Sequence, residues 1–240
     1  MNDGPRHIFQ RFDKELDALH GRILDMGRLV EVQIVSALDV LRRGDIEGAR
    51  EMIARDAEIN ALDVDIDERL VLLIAKRQPL ARDLRELMTV SKITTDLERC
   101  GDQIRKIGTL TVRLYDTDQP PPNAKLLEDI FMLAELAGDM LHRVLEAFDR
   151  LDLELAADVV SRQARVDEGY EAALRRLATY VMEDSRNIGH TIQVTLALRA
   201  LERIGGHAKN IAGHLVYLAT GEDVRHADDD TVASLADRAS

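Results

Sequence analysis

Glu98 and Asp102 lie four residues apart in the stretch Leu97-Glu98-Arg99-Cys100-Gly101-Asp102, and a related stretch, Leu201-Glu202-Arg203-Ile204-Gly205-Gly206, recurs toward the C-terminus. On a helix, residues four apart share a face about one turn apart, so the two carboxylates could bridge one or two cations. A second acidic pair, Asp63 and Asp67, precedes the first stretch, and Asp167 with Glu171 precedes the second. If the helices that carry them pack antiparallel, four carboxylates can converge in a shared outer groove, an all-oxygen set suited to hard ions such as Fe, Mn or Mg. The same spacing is common on any acidic helix, and Asp102 with Lys106 also makes an ordinary helical salt pair. At about 100° per residue, both carboxylates point away from the apolar seam of Leu97 and Ile104, which puts this ridge on the outside of its bundle.

Other site chemistries find little support. Di-iron helical sites need a Glu-x-x-His step on two helices, and the nearest approach is Asp139 with His142. His207 and His214, seven apart, share one helix face and fit a surface or packing role better than ligation. There is no glycine-rich phosphate loop, Cys-x-x-Cys pair or nucleophile elbow. Cys100, the one cysteine, falls on an apolar seam and reads as a small inert hydrophobe. Lys76, Arg77, Arg82 and Arg85 flank Pro79, where they could contact a partner or an anionic head group, or simply solvate a helix end.

The elements that would carry these residues are helices. With four Tyr, four Phe, no Trp and an abundance of Leu, Ala, Arg and Glu, the composition disfavours sheet. Phe12, Leu16, Leu19, Ile23, Met26, Val30, Ile34, Ala37 and Leu41 repeat at three- and four-residue spacing, one long helix that should stop at Arg43-Gly44 before an N-cap at Asp45. Val90, Ile93, Leu97, Cys100, Ile104, Ile107 and Leu114 form another such seam. A shift of 104 residues superposes Val90, Leu97, Glu98, Arg99, Gly101 and Ile107 on Val194, Leu201, Glu202, Arg203, Gly205 and Ile211. Upstream the better shift is 107, matching Asp45-Ile46-Glu47 to Asp152-Leu153-Glu154, so the first half carries three extra residues near Pro79. The expected architecture is all-α: two pseudo-repeated antiparallel three-helix bundles, each burying its own seams, over residues 1–118 and 124–226. A proline-rich linker at 119–123 would join them, and a mobile acidic tail would follow at 227–240.

A net charge of −12 disfavours nucleic acid as a partner. A lone cysteine suits a reducing compartment, and no stretch reads as a signal peptide or a membrane span, so the expected location is cytoplasmic, peripheral to a membrane only through partners.

The chain resembles the family of PhoU-type phosphate transport regulatory proteins over nearly its whole length. The resemblance is carried by His7-Ile8 with Phe12 to Leu16, Ala75-Lys76-Arg77-Gln78-Pro79, Asp83-Leu84-Arg85 and Asp96 to Asp102. In the second half it is carried by Met182 to Arg186, Ala200 to Gly205 and Gly221 to His226. It implies six long helices in two repeats and a surface multinuclear metal cluster, iron foremost with Mn, Zn or Mg as alternatives. Glu98, Asp102, Asp63 and Asp67 would hold it in the first half, and Glu202, Asp167 and Glu171 in the second. Gly206 stands where the family pattern has a second Asp, so the second cluster should be weaker or absent. The resemblance further implies a non-catalytic adaptor that restrains phosphate uptake and the phosphate regulon, and a homodimer is expected because dimers are common for such elongated bundles. Its partners would be the ATPase subunit of a phosphate ABC importer and a phosphate-sensing histidine kinase. A carboxylate-metal phosphohydrolase and a structural subunit of another phosphate transporter are the alternative readings.

Overall fold

The computed structural model describes residues 4–117, 120–224 and 229–239. The expected junctions at 118/119 and 226/227, and tail residues 227, 228 and 240, lie outside the described residues. Among these residues there are seven α-helices and no strand: α1 (Gly4–Arg43), α2 (Ile46–Arg77), α3 (Arg82–Tyr115), α4 (Ala124–Arg150), α5 (Leu153–Glu183), α6 (Ile188–Thr220) and α7 (Asp229–Ala239), with one 3-10 turn at Ser185–Asn187 before α6. None is long and apolar enough to cross a membrane.

Corresponding chemistry delimits the helices in both halves. α1 ends at Arg43, where Gly44 takes a left-handed φ of 63°, and α4 ends at Arg150, where Leu151 takes φ of 51°. Asp45 and Asp152 then cap α2 and α5, each accepting a hydrogen bond at 2.9 Å from a backbone N–H three residues on. Gly221, at φ of 81°, ends α6 in the left-handed cap that glycine adopts without a Cβ penalty.

The helices form two three-helix bundles, α1–α3 and α4–α6. They are not two separate cores: α3 packs along α6 and α1 along α4, and the buried residues of both bundles make one contiguous apolar cluster. The expectation that each half buries its seams in its own bundle is thereby corrected. Leu97, Cys100 and Ile104 of α3, with Leu201, Ile204 and Ala208 of α6, are wholly buried because α3 and α6 each face two helices of their own bundle and also one another. Full burial of each large side chain contributes roughly 1.5–3 kcal/mol.

Residues 229–239 of the expected acidic tail are helical. That segment is α7, which packs on α5 and α6 and buries Val232, Leu235 and Ala236. Those three follow an i, i+3, i+4 spacing, a short helical face overshadowed in the sequence by the acidic run before it.

Candidate functional site

The acidic ridge of the first bundle forms where α2 and α3 pack closely. A Cβ at Gly101 would meet Ile59 at 2.8 Å and the Asp56 carboxylate at 3.5 Å, so the missing side chain lets the two helices approach. Glu98, Asp102 and Asp63 are electrostatic neighbours here, with Asp67 acting on Asp63. Burial, then the charges of Asp102, Asp63 and Asp56, push the Glu98 carboxyl above its ordinary range. Asp63 is raised by burial and by Asp67.

Asp56 and Arg105 belong to this group and were not singled out from the sequence. Arg105 places Nε 3.1 Å from Asp56 and Nη2 2.8 Å from Asp102, binding the two helices together. Asp56 is nevertheless raised, because burial outweighs the pull of Arg105 and Asp102 adds like charge. Lys106, which the spacing pairs with Asp102, reaches Gln103 instead. The available signal was Asp56 itself, an acid on the apolar spacing of Ala49, Met52 and Ile59. The oxygen donors suit a hard cation in kind but not in arrangement. Among the described residues no three His, Cys, Asp or Glu side chains are grouped so as to hold a metal ion, and a guanidinium already links Asp56 with Asp102. As placed, the ridge is a repulsive carboxylate cluster held by one arginine.

The second bundle does not reproduce it. Gly205 faces Val166 and Gln163 as Gly101 faces Ile59 and Asp56, so α2 matches α5 at a shift of 107 while α3 matches α6 at 104. In that register Asp63 and Asp67 correspond to Tyr170 and Leu174, and Asp56 to Gln163. Asp167 and Glu171 stand instead where α2 has Asn60 and Val64. Asp167 accepts a hydrogen bond from Gln163 at 2.7 Å, and Glu171 lies 3.5 Å from Arg175 with both side chains exposed. Glu202 lies 3.2 Å from Arg199 outside hydrogen-bond geometry, so its buried Oε2 has no hydrogen bond within the described residues. The three acids are distributed among separate partners, and Gly206 contributes none.

The basic group near Pro79 is divided too. Arg77 makes a two-pronged contact with Glu15 of α1 at 3.1 Å, Arg85 runs against Gly221 at the end of α6, and Arg82 is exposed. Cys100 is fully enclosed, and burial pushes its thiol far up, as befits an unreactive side chain.

The strongest polar constellation lies between the bundles. Asp96 of α3, 4% exposed, receives hydrogen bonds from His207 at 2.9 Å, Asn210 at 3.3 Å and His214 at 3.2 Å, all on α6. Burial alone would raise this carboxyl, but the donors from His207, His214 and Asn210 together hold it at about 2. One turn earlier on α3, Lys92 sits 5.0 Å above the Tyr217 ring of α6. The face shared by His207 and His214 therefore serves this clasp. Asp96 was visible only as one letter of a motif.

The chain is similar to known proteins along most of its length. A model described as the PhoU domain matches residues 23–111 and 131–215. A Burkholderia sp protein named phosphate-specific transport system accessory protein PhoU homolog is 38% identical over 233 residues, covering 96% of this chain and 98% of that protein. The Escherichia coli (strain K12) protein named phosphate-specific transport system accessory protein PhoU is 36% identical over 230 residues, covering 96% and 94%. The crystal structure of PhoU from Pseudomonas aeruginosa superposes with a TM-score of 0.83 at 37% identity, covering 88% of this chain and 100% of that one. That of the phosphate transport system regulatory protein PhoU from Streptococcus pneumoniae gives 0.80 at 29%, covering 89% and 99%.

Proposed function

The chain belongs to the PhoU family, and on that premise we propose that it is a regulatory accessory protein of phosphate uptake that acts by contact with other proteins. In this reading it links the ATPase subunit of a phosphate ABC importer to a phosphate-sensing histidine kinase, and in high phosphate it holds both in their restrained states. The observation that carries the reading is the span of the likeness, which runs through both repeats and nearly the full length of relatives named for the phosphate-specific transport system.

Two features support a contact mechanism. The repeats present related exposed apolar residues, Leu84 and Met88 at the start of α3 and Ile188 and Ile192 at the start of α6, paired by the shift of 104. Two similar faces on one molecule suit a protein that meets two partners. A contact that is stronger in one state of the kinase than in the other is all that is needed to shift its population. Deleting the gene and measuring a phosphate-regulon reporter in high phosphate tests the reading. The reporter should be constitutively on; full repression in the deletion strain would overturn it.

A further inference from the structure

The seam between α3 and α6 is antiparallel, and the shift of 104 residues exchanges its two ends. Lys92 and Asp96 on α3 correspond to Leu196 and Ala200 on α6. Their partners His207, Asn210, His214 and Tyr217 correspond to Gln103, Lys106, Leu110 and Arg113. One end is filled by the Asp96 clasp and the Lys92–Tyr217 contact. At the other end the carboxylate is replaced by a methyl group. There the seam opens into a groove of about 430 Å³, whose wall includes Ala200 and the residues matching the clasp.

The lining of the groove is basic, and Asp102 and Glu202 stand in the adjoining hollow that shares Gln103, Lys106, Arg199 and Arg203 with it. On a chain of net charge −12 the groove is lined by the cations Arg105, Lys106, Arg113, Arg199 and Arg203 and by no acid. Arg105 and Arg199 have carboxylate neighbours outside the groove, and Lys106 reaches the neutral Gln103. Arg113 and Arg203 make no hydrogen bond or ion pair among the described residues. The floor is apolar, formed by Leu110, Leu196 and Ala200. Leu196 is also the last of three exposed apolar residues spaced four apart on α6, with Ile188 and Ile192 at 56% and 53% exposure and Leu196 at 46%. An apolar track that runs into a cationic trough is complementary to a segment with apolar side chains along its centre and carboxylates along its edge.

We propose that this groove seats an acidic segment of a partner protein, which lays apolar side chains along Ile192 and Leu196 and sets a carboxylate beside Ala200, as Asp96 sets its own at the other end of the seam. The inference rests on the adaptor reading only in taking the occupant to be another protein.

The test uses the full-length chain and a labelled, end-blocked helical peptide of Leu, Ala and Glu with its carboxylates on one face, followed by fluorescence anisotropy. Replacing the peptide's Glu by Gln should weaken binding about tenfold or more. Arg203→Glu, at an exposed position, should do the same, and Ala200→Asp, which supplies the missing carboxylate from within, should block the site. Equal binding of the Glu and Gln peptides, or wild-type affinity in Arg203→Glu, would overturn the proposal. So would complete displacement by inorganic phosphate where chloride of equal ionic strength has no effect, since the site would then take a small anion. Loss of self-association on sedimentation of Arg203→Glu would identify a second copy of this chain as the occupant and also overturn it. If gene deletion derepresses the regulon while the Arg203→Glu strain represses normally, this inference fails and the adaptor reading stands. Repression in the deletion strain removes the adaptor reading whatever the peptide does.

Discussion

The two repeats share their backbone and differ in what they do with charge. Both begin their second helix with an Asp cap after a left-handed residue, and both set a glycine where the second and third helices touch. Around the first of these glycines stand Asp56, Asp63, Glu98 and Asp102 with Arg105 between two of them; around the second stand Gln163, Tyr170, Glu202 and Gly206. At the seam the asymmetry lies in the other direction. The first repeat supplies one buried carboxylate, and the second supplies the imidazoles and amide that satisfy it. Caps and core are local requirements that any copy of the unit must meet, whereas a polar side chain is constrained only where a partner is within reach.

The largest effect should come from the clasp. Asp96→Ala removes the shared acceptor of buried His214, half-buried His207 and exposed Asn210 and should cost about 3 kcal/mol, or roughly 6–12 °C in Tm for a chain of this size. Lys106→Ala, at the matching position of the open end, should stay within about 0.5 kcal/mol. Thermal melts at pH 7 check both, and similar losses would mean that the two ends are not energetically distinct.

Acid should dissolve the same distinction. The folded carboxyl of Asp96 titrates at about 2, below the ordinary unfolded value, so its stabilisation is complete above the unfolded value and is lost as pH falls through the folded one. The stability gap between wild type and Asp96→Asn should therefore narrow between about pH 4 and pH 2. A gap that stays constant across that window would assign the effect to shape rather than charge.

At the ridge, Arg105→Gln leaves Asp56 and Asp102 unneutralised and should destabilise by about 1 kcal/mol. Divalent manganese should restore that loss, since it can take the place of the guanidinium. In the Arg105→Gln background, where no guanidinium occupies the ridge, manganese retained by the protein, read by elemental analysis, should fall much further on adding Asp102→Ala than on adding Glu202→Ala; equal falls would show that the two ridges do not differ in this respect.

The smallest effect has the opposite sign. Glu98 titrates above its ordinary range, so its ionised form is disfavoured in the folded protein at neutral pH, a penalty absent below the unfolded value. Glu98→Gln should stabilise by roughly 0.5 kcal/mol at pH 7 and give no advantage near pH 4. Glu202→Gln, which loses the Arg199 neighbour, should give no such gain. Chemical denaturation at the two pH values separates these outcomes.

Much of the fold was legible because the signals are short-range. The cap at Asp45, the stop at Gly44 and the seam from Val90 to Leu114 each depend on residues within a few turns. Glu98 and Asp102 were likewise found from one helix alone. Asp56 was missed because it sits on the neighbouring helix and its importance comes from Arg105, 49 residues later in the chain. Asp167 and Glu171 match Asp63 and Asp67 only at the third-helix shift of 104, whereas α2 and α5 are related by 107, and three residues move a side chain most of a turn around.

The amino-acid order alone determined the all-helical character, the duplication and the outward ridge of Glu98 and Asp102, since periodicity and capping act within a few residues of their source. Only the tertiary structure decided that the two bundles share a core, that residues 229–239 dock as a helix, and that Asp96 meets a histidine 118 residues away. Those outcomes follow from which faces of finished helices meet. Dispersion and burial reward any close-packed pairing of apolar faces, and the specific pairing of α3 with α6 comes from the shape and charge of side chains distant in sequence.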